Sequence, residues 1–555
     1  MGTSSQRRVV VRDVADVLCD DSGRLGPLSY LIPSDLEVHV GDAVEVPFGK
    51  RTTRGMVLGV GNPAKATRAI AKVYGPRAFA SEIELARRVA AQNFSTFATI
   101  APRLAPRTKR GNPPLRAGRV SLVKGETFDD FCRPLELSDV PRRLLAVAPL
   151  VDQSRLAALE AAAMSAKGQV LVLCPTKKVV EEVLAQFASG AGRMDTSPKE
   201  GEDSAWRAFL DGTLKVAVAT RSAALWAAPN LVGIIVVDED HPGHVEAASP
   251  HTNARDIATA RTLASGAELV LLSPNPSPLA LGAKVKIFAV GADRHWPTTE
   301  LVFRDIRNKN SVELPSVVRS AMVDARGRGE VPVIVAPAAS AVRKCRGCRQ
   351  TLSCEQCGGH SCAHLRQVVC PRCGSDESRV VGWDVERVSR VVGRPTKVIL
   401  ATELHEVTGA GLVVLFDADG LLGAPGLIPD RWATTVLLNA ARAAGAGGRV
   451  VIVTSEIHAA PFDDLVVKHD IVRSAKRTWA AAKEAGLPPF GRLVTLQVAS
   501  AGAPRVSGWP GTVYGPRPVG KEFEILVRCS NDDLAELGRC IDRLRKRAKL
   551  RVSVS

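Results

Sequence analysis

Seven of the twelve cysteines fall between residues 345 and 373: Cys345, Cys348, Cys354, Cys357, Cys362, Cys370 and Cys373. Three pairs have the spacing C-x2-C, which lets a tight turn aim two sulfurs at one metal ion, about 2.3 Å from each. Gly347, Gly358 and Gly374 are expected to give those turns their backbone freedom. Arg343, Lys344, Arg346, Arg349, Arg366 and Arg372 surround the cluster and would offset the charge of four thiolates on a divalent ion. A disulfide framework is the alternative, but that belongs to small secreted chains, and repeated C-x2-C is the zinc signature. The first residues, Met1-Gly-Thr-Ser-Ser-Gln-Arg-Arg8, lack the apolar stretch of a signal peptide. The segment is therefore read as a zinc module.

A second chemical cluster ends an apolar run: Ile234-Ile-Val-Val-Asp238-Glu239-Asp240-His241. Acids at this place in a P-loop NTPase form the Walker B position, where one carboxylate holds magnesium and the next orients the attacking water. Any strand can end in acids, so its meaning depends on the surrounding elements.

Those elements alternate. Apolar runs at Val170–Cys174, Val216–Ala219, Ile234–Val237, Leu269–Leu272, Val331–Val335, Leu412–Phe416 and Val450–Val453 read as buried parallel strands. An Ala-rich helix is expected from Arg155 to Ala166, and helices between the runs imply parallel sheets covered on both faces. The runs form two groups flanking the cysteines, which makes the zinc module an insertion in the second. The first 60 residues alternate apolar and polar with turns at Gly41-Asp42 and Pro47-Phe-Gly49, as in a small β domain. Ser81 to Ala105 carries a helical period.

Net charge is +17, which points to a polyanionic partner, nucleic acid first. From Ala101 to Val120, Arg103, Arg107, Lys109, Arg110, Arg116 and Arg119 occur with no acid, and four prolines make the stretch a loop. It reads equally as a solvated linker or as a phosphate contact. The basic C-terminal run, Arg539 to Arg551, follows Asp532 and Asp533 with Leu534, Leu537, Ile541 and Leu544 at helical spacing, which the helix dipole alone explains. Aromatic residues make up 4% of the chain and the basic segments hold almost none, so binding is expected to be backbone-driven and salt-dependent. No run of about 18 apolar residues is present, so no membrane partner is expected, and the expected location is cytoplasmic and nucleoid-associated.

Taken in order, these features resemble the primosomal replication-restart (PriA) family of superfamily 2 DNA helicases. Thr220-Arg221-Ser222-Ala223 resembles the family's G-T-R-S-A, Asp238-Glu239-Asp240-His241 its D-E-E-H, and Ala254-Arg255-Asp256 its A-R-D. Ser273-Pro-Asn-Pro-Ser277 is similar to S-A-T-P-S. The cysteine insertion, Asp417-Ala-Asp419 and Leu487-Pro-Pro-Phe-Gly-Arg492 follow. Tyr30-Leu-Ile-Pro33 and Val46-Pro-Phe-Gly49 resemble the domain that binds a DNA 3′ end, which makes Ser29, Tyr30, Lys50, Arg51, Arg107, Lys109 and Arg110 the candidate DNA contacts.

The resemblance implies an α/β fold with two RecA-like parallel-sheet lobes, at 141–292 and 293–470, the second carrying a zinc-ribbon-like insertion at 343–376. It also implies an N-terminal β domain at 1–75, a helical or winged-helix-like module with a basic linker at 76–140, and a C-terminal α+β domain at 471–555. Carried over from the family, Cys345 and Cys348 share one zinc ion with Cys370 and Cys373. A second ion takes Cys354, Cys357, Cys362 and one histidine, His364 in preference to His360. The alternative is a degraded second site with Cys362 as a free thiol. Closed four-ligand sites would make the zinc structural.

The family pattern is broken where ATP should bind. A phosphate loop needs G-x-x-x-x-G-K-[ST], whereas the corresponding Val147-Ala-Pro-Leu-Val-Asp152-Gln153 lacks the glycines and places Asp152 where the lysine would be. The G-T-Q-M segment is reduced to Ala401-Thr-Glu-Leu-His405, and the arginine-finger segment to Asn439-Ala-Ala-Arg442-Ala-Ala-Gly445. In the DNA-end pocket Ser29 replaces a carboxylate. These losses are similar to the degenerate actinobacterial form of the family.

The resulting expectation is a primosome component that recognises stalled or branched forks and single-stranded DNA and works with replicative-helicase loading proteins. ATP has lost its anchor, and Asp238 and Glu239 are read as vestigial in preference to a remnant nucleotide site. The alternatives are an active ATP-dependent 3′-5′ helicase with a non-standard nucleotide site and a zinc-ribbon nucleic-acid-binding protein of unrelated role.

Overall fold

The computed structural model describes residues 11–20, 26–61, 66–106, 118–127, 130, 140–194, 203–248, 250–291, 295–304, 314–336, 342–353, 369–381, 385–422, 427–428, 430–500 and 504–554. β1 (Val11–Cys19), β2 (Leu28–Pro33), β3 (Asp42–Phe48), β4 (Arg51–Gly61) and β5 (Lys72–Pro76) form an antiparallel sheet in the order β2-β1-β4-β3-β5. Alternation aims Ala15, Val17, Val44, Val46 and Tyr30 into one core. On the other face Leu18 and Met56 join Ile83, Ala86 and Val89 of the helix Ala80–Gln92. The expected loop from Ala101 instead begins with a 3-10 helix, Ala101–Leu104. Pro102 sits in its first turn, where a missing N–H costs nothing.

The first lobe follows a short β6 (Ser121–Leu122). Its strands are β7 (Arg142–Val147), β8 (Gln169–Cys174), β10 (Ala191–Met194), β11 (Val216–Thr220), β12 (Leu231–Val236), β13 (Glu268–Ser273) and β14 (Lys286–Val290), and β9 (Phe187–Ser189) pairs with β6. The order is β10-β11-β8-β12-β13-β7-β14, and every pairing is parallel. The all-apolar runs are buried on both faces, in two separate clusters.

The second lobe is also parallel, ordered β15-β21-β20-β16-β19. Its strands are β15 (Thr298–Phe303), β16 (Val333–Ala336), β19 (Lys397–Leu400), β20 (Leu412–Leu415) and β21 (Arg449–Thr454). β17 (Val342–Cys345) and β18 (Ser378–Val381) make an antiparallel hairpin between β16 and β19, so the cysteines are an insertion in this lobe. The helix Ile471–Glu484 packs back on β7 and β14. The chain closes with an antiparallel sheet of β22 (Arg492–Ala499), β23 (Thr512–Val519), β24 (Glu522–Cys529) and β25 (Lys549–Val554), covered on one face by the helix Leu534–Arg545. The fold is thus mixed α/β with two parallel lobes, as expected. Among the described residues no helix is long and apolar enough to cross a membrane.

Candidate inter-lobe cleft and metal centre

In an open parallel sheet, ligands bind beyond the carboxyl ends of the strands. β7 leads there to residues 148–152 and β12 to Asp238, with β13 between them. This is where a nucleotide would lie, and the local hydrogen bonds are already taken. Ala148 N–H donates to Val290 O at 2.9 Å, Leu150 N–H to His295 O at 3.2 Å, and Val151 N–H to Ala148 O at 3.1 Å. Residue 149 is proline and has no N–H. Asp152 then caps the helix Gln153–Ser165, its Oδ1 accepting from Ser154 N–H at 2.9 Å and Arg155 N–H at 3.1 Å. A helix N-terminus is a ready anion site; here the chain's own carboxylate fills it. Asp152, placed by the family resemblance where a phosphate-binding lysine would be, is a helix cap.

The acidic residues are bound up in the same way. Asp238 has a left-handed φ of +52°, which aspartate tolerates. Burial pushes its carboxyl up, while Arg442 and His241 pull it down. Arg442 lies in the last turn of the second-lobe helix Arg431–Ala444. Glu239 is fully buried and accepts from Ser273 Oγ (3.1 Å), Ser277 N–H (2.8 Å), Ser277 Oγ (2.8 Å) and Arg255 Nη1 (3.0 Å). Burial raises its carboxyl and Arg255 opposes this; since all four neighbours are donors, the carboxylate is the form the site is built for. Burial opposes the charge on Arg255, but Asp256, Glu239 and Asp240 outweigh it and hold its pKa above the usual range. With these four donors, Glu239 holds Arg255 and the 273–277 turn in place.

Asp240 is exposed and forms an ion pair across the cleft with Arg431. Arg431 also donates to Pro276 O at 3.2 Å and Asn275 O at 3.4 Å, and Asn275 Nδ2 donates to Thr435 Oγ1 at 2.9 Å. His241 Nδ1 accepts from Gly243 N–H. His244 is wholly buried, with Nε2 donating to Val237 O at 2.8 Å. Burial lowers its pKa to about 4; the Val237 carbonyl acts the other way, and His241, Arg255 and Arg221 add to the lowering. In the second lobe Asp419 accepts from Ser455 N–H at 2.8 Å and from the Thr454 hydroxyl. Ala401–Glu406 is a 3-10 helix. Sequence reading missed Arg431 and Thr435, which belong to no quoted motif and act on residues far away in the chain.

The cysteine hairpin is different. Cys345, Cys348, Cys370 and Cys373 place their sulfurs within 4.8 Å of one another. Cys345 Sγ lies 3.4 Å from Cys373 Sγ, and Cys348 Sγ lies 3.6 Å from Cys370 Sγ. A tetrahedral zinc site has sulfur–sulfur edges of about 3.8 Å, so the four donors fit one ion. Two matching turns deliver them. Arg349 N–H bonds Cys345 O and Gly374 N–H bonds Cys370 O, while Cys345 N–H bonds Gln350 O and Cys370 N–H bonds Ser375 O.

The residue after each second cysteine is left-handed: Gly374 at φ +71°, as expected, but Arg349 at +61° in the first turn, not Gly347. The N–H groups of Cys348 and Gly347 pull the Cys345 thiol down to about 6, and that of Arg372 lowers Cys370. Ser375 N–H acts likewise on Cys373, but the neighbouring sulfurs outweigh it and push it to about 11. As thiolates the four would suit a cation between them. Buried Leu352 packs beneath. The second set, Cys354, Cys357, Cys362 and His364, with His360, Gly358 and Arg366, lies outside the described residues.

Of the candidate DNA contacts, Lys50 and Arg51 are exposed at the β3–β4 turn, and Arg68 Nη1 donates nearby to Gly49 O at 2.9 Å. Ser29 is exposed and donates to Asp16 Oδ1 at 2.8 Å, so a carboxylate stands on the adjacent strand. Tyr30 is corrected: it is 3% exposed, with its hydroxyl on Pro47 O at 3.0 Å, and supports the β domain from within. Arg103 turns inward to Thr252 Oγ1 at 3.1 Å. Arg107, Lys109 and Arg110 lie outside the described residues.

Comparison with known proteins bears on this geometry. Residues 17–106, which hold most of the β sheet and the helices after it, match the model of the PriA 3′DNA-binding domain (3′BD). The replication restart protein PriA of Rickettsia conorii is 24% identical over 416 residues, 66% of this chain and 63% of that protein. The chain is similar to PriA over these spans. A probable replication restart protein PriA of Mycobacterium tuberculosis is 26% identical over 391 residues, 58% of this chain and 56% of its own length. The match thus spans less than two thirds of these PriA relatives. A solved structure of S. cerevisiae Dbp5 bound to RNA and ADP BeF3 covers 62% of this chain and 84% of its own, at 9% identity and a TM-score of 0.29, too distant to extend the topology above.

Proposed function

We propose that this chain is a replication-restart protein that binds branched and single-stranded DNA and does so without ATP-driven unwinding. The observation that carries the reading is the Asp152 cap: the N–H groups that would cradle a phosphate are held by a carboxylate and by neighbouring carbonyls. The clamp of Arg431 on Asp240, Asn275 and Pro276 supports it by tying the lobes together through the chain's own side chains. DNA would enter through the domain of residues 17–106, with Ser29, Lys50 and Arg51 at its exposed rim. Cys345, Cys348, Cys370 and Cys373 would hold zinc, which supplies a structural cross-link and no open coordination position. The exposed Arg346, Arg349 and Arg372 would make the module a docking face for DNA or for primosome and helicase-loading proteins.

The test is a titration of forked DNA with the full chain, with and without Mg-ATP. The expected result is the same affinity in both. A several-fold shift on adding ATP would instead favour a helicase with a non-standard nucleotide site.

A further inference from the structure

One face of the N-terminal sheet turns away from the Val44 and Val46 core. There the register sets Arg54, Glu45 and Lys72 side by side on β4, β3 and β5. Tyr74 stands beside them, 42% exposed. The Arg54 guanidinium carbon is 4.7 Å from the ring centroid and Lys72 Nζ is 5.1 Å from it. The Tyr74 hydroxyl donates to the Glu45 carboxylate, which fixes the edge of the ring. Glu45 spends its charge on that hydroxyl and on the two cations, so the ring is presented to solvent among positive groups. A half-exposed aromatic held at its hydroxyl and flanked by cations offers what a nucleotide needs, a π surface for the base and positive charge for the phosphate. Lys50 and Arg51 end the same β ribbon.

We propose that the Tyr74–Arg54 pair is a stacking site for a base of single-stranded DNA, with Lys72 taking an adjoining phosphate. This rests on the reading that residues 17–106 bind DNA, and it adds a contact to the Ser29, Lys50 and Arg51 rim. It also amends the expectation of purely backbone-driven binding.

The test is a fluorescence-anisotropy titration of a labelled oligothymidylate against the full chain over a series of salt concentrations. Tyr74→Ala should weaken binding roughly tenfold while leaving the slope of log affinity against log salt unchanged. Tyr74→Phe should keep most of the affinity, which also guards against a fold defect. Lys72→Gln should reduce the slope by about 0.7. Wild-type affinity in Tyr74→Ala overturns the proposal, as does a loss confined to the salt slope. If the unmodified chain does not bind the oligomer at all, the DNA-binding reading itself fails.

Discussion

The inter-lobe cleft and the cysteine hairpin both crowd chemically active side chains, and they resolve the crowding in opposite ways. In the cleft three acids have found donors from the protein: Asp152 its helix end, Glu239 two serines and Arg255, Asp240 Arg431. In the hairpin four sulfurs converge at the spacing of a tetrahedral metal site, an arrangement that suits a cation between them. A group already satisfied by its own chain has little to offer a ligand. A group strained by its neighbours is poised for one.

The most severe way to test this contrast is to remove the cation. A structural zinc in a small module is worth about 10–16 kcal/mol, so Cys370→Ser should cut bound zinc by one ion per chain and open residues 342–381 to protease. Metal analysis with limited proteolysis checks both. Next is Arg255→Ala, which leaves Glu239 buried without its cation. That should cost about 3–5 kcal/mol, seen as a lowered denaturation midpoint of the first lobe. An unchanged midpoint would mean that Glu239 is free for chemistry.

The third test uses pH. His244 is neutral and buried, with its pKa lowered from 6.5 to about 4. Above pH 6.5 neither the folded nor the unfolded state gains a proton, so the stability it contributes is fully present. As pH falls from 6.5 to about 4 only the unfolded state is protonated, and about 3 kcal/mol is lost. Denaturation of wild type and His244→Gln across that range should show a flatter profile in the variant. The smallest effect is Asp152→Ala: loss of the cap should cost about 1 kcal/mol. Equilibrium dialysis with ATP should detect no gain in binding, because the loop N–H groups of Ala148, Leu150 and Val151 remain engaged.

The regular framework was readable because burial on both faces writes itself as unbroken apolar runs. Val170–Cys174 and Ile234–Val237 lie within or beside β8 and β12, and the expected helix from Arg155 starts two residues earlier, at Gln153. The first cysteine quartet was legible in its membership, through the family resemblance, and in its turns, except that the left-handed position fell on Arg349. The capping role of Asp152 had a signal that went unused, since an aspartate just before a helical run is a favoured N-cap. The Asp240–Arg431 clamp and the Tyr74 cluster left no such trace. Each joins residues from separate strands or lobes, and their meeting depends on sheet register and lobe packing.

We propose that the cleft does not serve ATP. Its most direct test is phosphate release from ATP by the pure chain in the presence of forked DNA. Release at the protein-free background, unchanged in Asp238→Asn, is the predicted result. DNA-stimulated release that Asp238→Asn abolishes would contradict it.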